Sequence, residues 1–184
     1  KEYIVTTGPD VRTPAPWSNV IANPELGTVI TESGGAYTWA ENAHEMRLTP
    51  WENDPVSAGS GEAFYLRDEE TGHFWSPLPQ PAPGTGSYTT RHGFGYSVFE
   101  HHEAGIASEA WAYVAIDAPV KLMVFKLSNR SEVARTLSLT GALSLVLGDT
   151  RLRHSMHVVT EIDPRSGALF ARNPFNADFP GRVA

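Results

Sequence analysis

Cysteine is absent from the chain, which excludes a disulfide framework and any thiolate metal site. Basic residues are scarce. Fourteen Lys and Arg face 21 Asp and Glu, a formal charge of −7, and no Lys/Arg run exists to track phosphates. Neither a nucleic acid nor an anionic membrane surface is therefore an expected partner. No apolar stretch approaches the roughly 20 residues that span a bilayer. The opening residues Lys1–Thr7 carry no apolar core of signal-peptide length. These absences predict a cytoplasmic segment without direct membrane contact. Long helices have little room too, because 16 Gly and 14 Pro recur at short intervals.

What is present has a period of two. The leucines at 137, 139, 143, 145 and 147 alternate with Ser138, Thr140 and Ser144, which predicts a half-buried strand. Val120–Leu127 is apolar on both faces and reads as an inner strand. Phe94–His101 and Ile106–Ile116 flank a short turn and read as a hairpin. Asp163–Gly167 joins His157–Ile162 to Ala168–Ala171 in the same way. Ala40–Arg47 is the best helical candidate, with a loop as the alternative, and the four-proline stretch Trp75–Ser87 reads as an irregular surface loop. The expected fold is all-β, an antiparallel sandwich in one domain, 1–184. The strand-like start and the Phe179–Ala184 end suggest a piece of a longer protein.

The densest chemistry lies in Thr31–Pro55. Tyr37, Trp39 and Trp51 are interleaved there with Glu41, Asn42, Glu45, Arg47, Asn53 and Asp54. A pyranose offers an apolar C–H face to stack on a ring, and hydroxyls that need paired donors and acceptors. The block suits a sugar, although a packed loop would use the same residues. Arg91-His92-Gly93 offers a second contact region, or an internal ion pair at a bulge. Arg151 and Arg153 would share one face of an extended segment with Ser155 and His157. Glu32, Glu41, Glu45, Glu52 and Asp54 could supply a carboxylate pair for glycosidic chemistry, but solvated loop acids and turn caps explain them as well. His101 and His102 are adjacent on a strand and point oppositely, so no metal site is expected. Trp111 is expected to pack in the core.

Several runs carry a resemblance to a known family. They are Thr13–Val20, Glu32–Trp39, Arg47–Trp51, Asn53–Pro55, Arg91–Ser97, Lys126–Asn129 and His157–Glu161. In this order they resemble the N-terminal region of the glycoside phosphorylases of glycoside hydrolase family 94, which include cellobiose- and chitobiose-acting members. Within the family they look most like the phosphorylase portion of bacterial cyclic β-1,2-glucan synthases. The resemblance implies a supersandwich related to galactose mutarotase-like domains, followed by a helical linker and an (α/α)6 catalytic barrel that this chain does not contain. It implies an inverting reaction with the general-acid Asp in that barrel and inorganic phosphate as nucleophile. No catalytic residue and no cofactor are therefore assigned here, phosphate being a co-substrate of the intact enzyme.

Implied partners are a β-glucan oligosaccharide, the chain's own C-terminal barrel and a second subunit. In dimeric members the stretch corresponding to Arg151–His157 comes from the neighbour and helps wall its sugar site. The carbohydrate-contacting candidates are Tyr37, Trp39, Arg47, Trp51, Asn53, Asp54, Arg91, His92, Arg151 and Arg153. The alternatives are a free-standing carbohydrate-binding module and a purely structural oligomerisation domain.

Overall fold

The computed structural model describes residues 1–52 and 60–184, so Asn53 and Asp54 lie outside the described residues. Two layers of antiparallel strands face each other. The first layer is one five-stranded sheet. Its members in spatial order are β1 (Tyr3–Thr7), β7 (Tyr88–Gly93), β8 (Tyr96–Glu103), β9 (Ile106–Val114) and β10 (Lys121–Asn129). The second layer holds β2 (Ser18–Ala22), β3 (Leu26–Thr31) and β4 (Ala36–Ala40) in one sheet. Beside them, β11 (Leu137–Leu143), β5 (Glu62–Asp68) and β6 (Phe74–Trp75) form another. Segment 46–49 bridges the two. Ala40 and Leu48 N–H groups donate to Met46 and Thr38 carbonyls, and Val146 N–H donates to Leu48 C=O.

Alternation decides which side chains fill the gap. On β9, Ile106, Ser108, Ala110, Ala112 and Val114 point inward and are buried. Phe99 of β8, Ala110 and Ala112 meet Ile21, Leu26, Ile30 and Ala36 across the layers, while Leu66 and Trp75 meet Ile106. Small residues on β9 let the opposing sheet approach closely, the interdigitation of a packed sandwich.

A third body, at the end of the second layer, is the hairpin of β12 (Val159–Ile162) and β13 (Leu169–Arg172). Its turn falls where the sequence places it, and Ala184 pairs with Ala171 alongside.

Several expectations are corrected. The β8–β9 hairpin is present, but Phe94 is an exposed turn residue between β7 and β8 rather than part of a strand. The leucine-rich strand stops at Leu143, and Leu139 and Leu143 are exposed. The β10 strand pairs only with β9 and is an edge among the described residues, not an inner strand. It reads apolar on both faces because Met123 and Phe125 reach the core, while Val124 lies opposite Trp111 on the outer face. Trp111 itself is half-buried on that outer face, with Lys126 Nζ 5.0 Å from its ring centroid.

Arg151–His154 is a short helix, α1, followed by a 3₁₀ turn, so the extended reading of this segment does not hold. Its Arg/Leu/Met composition suits a helix as well as an alternating strand. Residues 41–46 form a loop, not a helix. Glu41 adopts φ 60°, and the Asn42 side chain accepts the N–H groups of His44 and Glu45. The proline-rich loop is irregular as expected, yet it drives Leu78 into the core.

Candidate functional site

Ala36 and Thr38 of β4 face the core, so Tyr37 and Trp39 must point out of the second layer. Trp39 lies across Gly27, its partner on β3, where an added Cβ would overlap the indole. This glycine is required by close approach. Tyr37 packs between rings, with centroids 5.2 Å from Trp39 and 4.8 Å from Trp51. Burial pushes the Tyr37 hydroxyl pKa up, and the Arg47 charge only partly opposes this. Trp51 is the outermost ring, at 37% exposure.

Arg47 closes the cluster. Its guanidinium carbon lies 6.0 Å from the Tyr37 centroid, within cation–π range. Nε donates to Ala43 C=O at 3.1 Å, and one terminal nitrogen donates to Asp149 C=O at 3.0 Å. Its backbone pairs with Gly148 in both directions at 3.1 Å. The segment following Gly148 is thereby brought beside the rings. Arg153 contacts Asp149 at 2.7 Å, and Arg151 lies 3.8 Å from Glu52, next to Trp51. Burial pushes the Asp149 carboxyl up, but the Thr150 N–H, Arg153 and His154 outweigh it and hold the pKa below the usual range.

Six candidates therefore converge on one rim: Tyr37, Trp39, Arg47, Trp51, Arg151 and Arg153. Arg91 and His92 do not join them. Arg91 lies on the outer face of the opposite layer, paired with Glu2 at 2.9 Å and Glu100 at 3.2 Å. The ion pair of the alternative reading is present, but partly exposed on the outer face and near the end of a tight hairpin rather than internal at a bulge. His92 points inward, between Ser97 Oγ at 2.8 Å and Trp17 C=O at 3.1 Å. Burial lowers its pKa.

The loop acids are engaged separately. Glu32 is buried against Thr13 and the Trp17 N–H, Glu41 pairs with Arg182, Glu45 with His44, and Glu52 with Arg151. His101 points into the sandwich and His102 to solvent. The rim can stack an apolar face and donate hydrogen bonds.

The sequence marks Glu52 only as a loop acid and gives no sign of its pairing with Arg151, nor of the polar hub of Asp149, His154 and Asn173 behind the rim. Asn173-Pro174 is a turn signal, but nothing local ties it to Arg47.

Against this geometry the comparisons are specific. The model of the glycosyl hydrolase 94 supersandwich domain matches residues 1–184. The cyclic beta-(1,2)-glucan synthase NdvB of Rhizobium meliloti is 37% identical over 185 residues, covering 100% of this chain and 6% of that protein. The N,N'-diacetylchitobiose phosphorylase of Vibrio furnissii is 33% identical over 144 residues, 77% of this chain and 18% of its own length. Solabiose phosphorylase of Paenibacillus borealis is 33% identical over 144 residues, 74% and 18% respectively. The chain thus spans less than a fifth of each relative. With an all-β sandwich and a family model matched from end to end, the chain belongs to the glycosyl hydrolase 94 family as its supersandwich domain.

Proposed function

We propose that this domain belongs to a cytoplasmic β-glucan-acting glycosyltransferase or phosphorylase, where it contacts the saccharide, buttresses the catalytic barrel and supports a dimer, without being catalytic alone. The observation that carries this reading is the Tyr37–Trp51 ring pair, edged by Arg47 on a rim to which α1 is tied. The outer ring offers a stacking face, and the guanidinium offers donors to hydroxyls. A cyclic β-1,2-glucan synthase among the relatives favours a β-1,2-linked glucan as the saccharide. Arg151 and Arg153 extend the rim as further hydroxyl donors.

In the full-length protein, Trp51→Ala and Arg47→Ala should each raise KM for a β-1,2-gluco-oligosaccharide about 3- to 10-fold, the worth of one stacking or charged contact. Unchanged KM in both variants would reject the saccharide reading. The purified 184-residue chain should release no glucose 1-phosphate from β-1,2-glucan and phosphate. Release would overturn the non-catalytic assignment.

A further inference from the structure

Behind the rim, a continuous set of contacts runs from the β12–β13 side to Arg47. Leu147 is fully buried and left-handed at φ 50°, a costly conformation for a branched residue. Its carbonyl accepts from two amides, Asn173 Nδ2 at 3.1 Å and Asn176 Nδ2 at 3.0 Å. The turn delivers Gly148, which pairs with the Arg47 backbone. A Cβ on Gly148 would lie 2.6 Å from His154 Cδ2, so the imidazole occupies the space a side chain would need.

That imidazole is fixed at both nitrogens. Asn173 Nδ2 lies 2.9 Å from Nδ1, and Asp149 Oδ1 lies 2.9 Å from Nε2. The amide donates to Nδ1, so Nε2 carries the proton and presents it to the carboxylate. Asp149 in turn receives the Arg47 guanidinium on its carbonyl. Asn173, His154 and Asp149 are all largely shielded from solvent.

We propose that Asn173, His154 and Asp149 are positioning residues that hold the Arg47 guanidinium beside the Tyr37 ring, so that saccharide affinity at the rim is set from the β12–β13 side. The affinity part rests on the saccharide reading above, whereas the mechanical part stands on the contacts alone. Two features separate this arrangement from ordinary packing. Asn173 bonds the carbonyl of left-handed Leu147, next to the Gly148 that pairs with Arg47, and His154 bonds the side chain of Asp149, whose carbonyl takes the Arg47 guanidinium.

The test uses the full-length protein with His154→Gln and His154→Phe. Glutamine can accept from Asn173 and donate to Asp149, whereas phenylalanine keeps the ring volume and loses both bonds. Hydrogen exchange at the Arg47 and Gly148 amides reports on the bridge. Steady-state kinetics with a β-1,2-gluco-oligosaccharide report on the rim. We expect His154→Phe to speed exchange at both amides and to raise KM about 2- to 10-fold at constant kcat, the worth of one or two hydrogen bonds. His154→Gln should stay near wild type in both readouts.

Wild-type exchange in His154→Phe, or loss in His154→Gln with retention in His154→Phe, would overturn the proposal in favour of simple ring packing. Trp51→Ala is the control for the saccharide reading. If it leaves KM unchanged, that reading fails, and the exchange data still decide whether His154 positions Arg47.

Discussion

The interior of the sandwich and its rim each hold a cation among oxygen atoms, and they use it in opposite ways. Inside, Lys121 Nζ pairs with Glu62 and donates to Thr28 Oγ1 at 3.0 Å and Thr38 Oγ1 at 3.1 Å, which consumes all three ammonium donors. Glu62 also accepts from Thr38 and Thr49. Burial pushes the Glu62 carboxyl up, but Lys121 and the hydroxyls outweigh it and leave the pKa lowered. This network joins β10 of one layer to β3, β4 and β5 of the other. On the rim, Arg47 is held by two carbonyls among the described residues and faces the Tyr37 ring. A guanidinium oriented by neutral acceptors keeps its charge and part of its donor fork for something else. Charge inside is spent on structure, whereas the rim guanidinium engages only neutral acceptors among the described residues.

The contrast breaks most visibly at Lys121. Removing one partner leaves a buried, uncompensated carboxylate, so Lys121→Ala should cost about 3–5 kcal/mol in urea denaturation. A loss below about 1 kcal/mol would mean the pair is effectively solvated, and the distinction between interior and rim would disappear.

Acid provides a second, smaller probe of the interior. Hydrogen bonding to Arg135 holds Asp68 down to about 2, from an ordinary value near 4. A lowered folded-state pKa contributes stability above the unfolded value and loses it as pH falls through the folded one. Lowered Glu62 acts in the same direction. The urea midpoint should therefore decline between about pH 4 and pH 2, and Arg135→Gln should flatten the part due to Asp68. An equally steep decline in Arg135→Gln would contradict the assignment.

The smallest effect belongs to Arg91. It also lies 6.0 Å from an aromatic centroid, that of Trp111, but two carboxylates neutralise it. Arg91→Gln should cost less than about 1 kcal/mol, as for partly exposed ion pairs, and leave saccharide KM unchanged. A rise in KM matching that of Arg47→Ala would extend the site to the opposite layer.

How much of this was legible beforehand depends on the range of the interactions. The β8–β9 and β12–β13 turns were readable because glycine-containing turns and period-two alternation are local properties. The face that Trp111 occupies is not legible, because a tryptophan in an alternating strand does not reveal which face is covered. The α1 segment is ambiguous in sequence because Arg-Leu-Arg-His-Ser-Met-His satisfies an alternating pattern, yet its formers also suit a helical turn. For the rim, composition pointed to Tyr37, Trp39, Arg47 and Trp51, while grouping Arg91 with them required a contact that the layers do not make. Asp149, which meets Arg47 from 102 positions away, carried no local mark at all.

Taken alone, the order of residues determined that this chain forms paired strands, carries no cysteine chemistry and concentrates its rings in one block. Those properties follow from side-chain identity and short-range backbone preference. Which rings meet, which arginine is neutralised and which strand becomes an edge were decided only by the packing of two layers. Burial and pairing depend on partners distant in the chain, and spacing along the chain does not encode those distances.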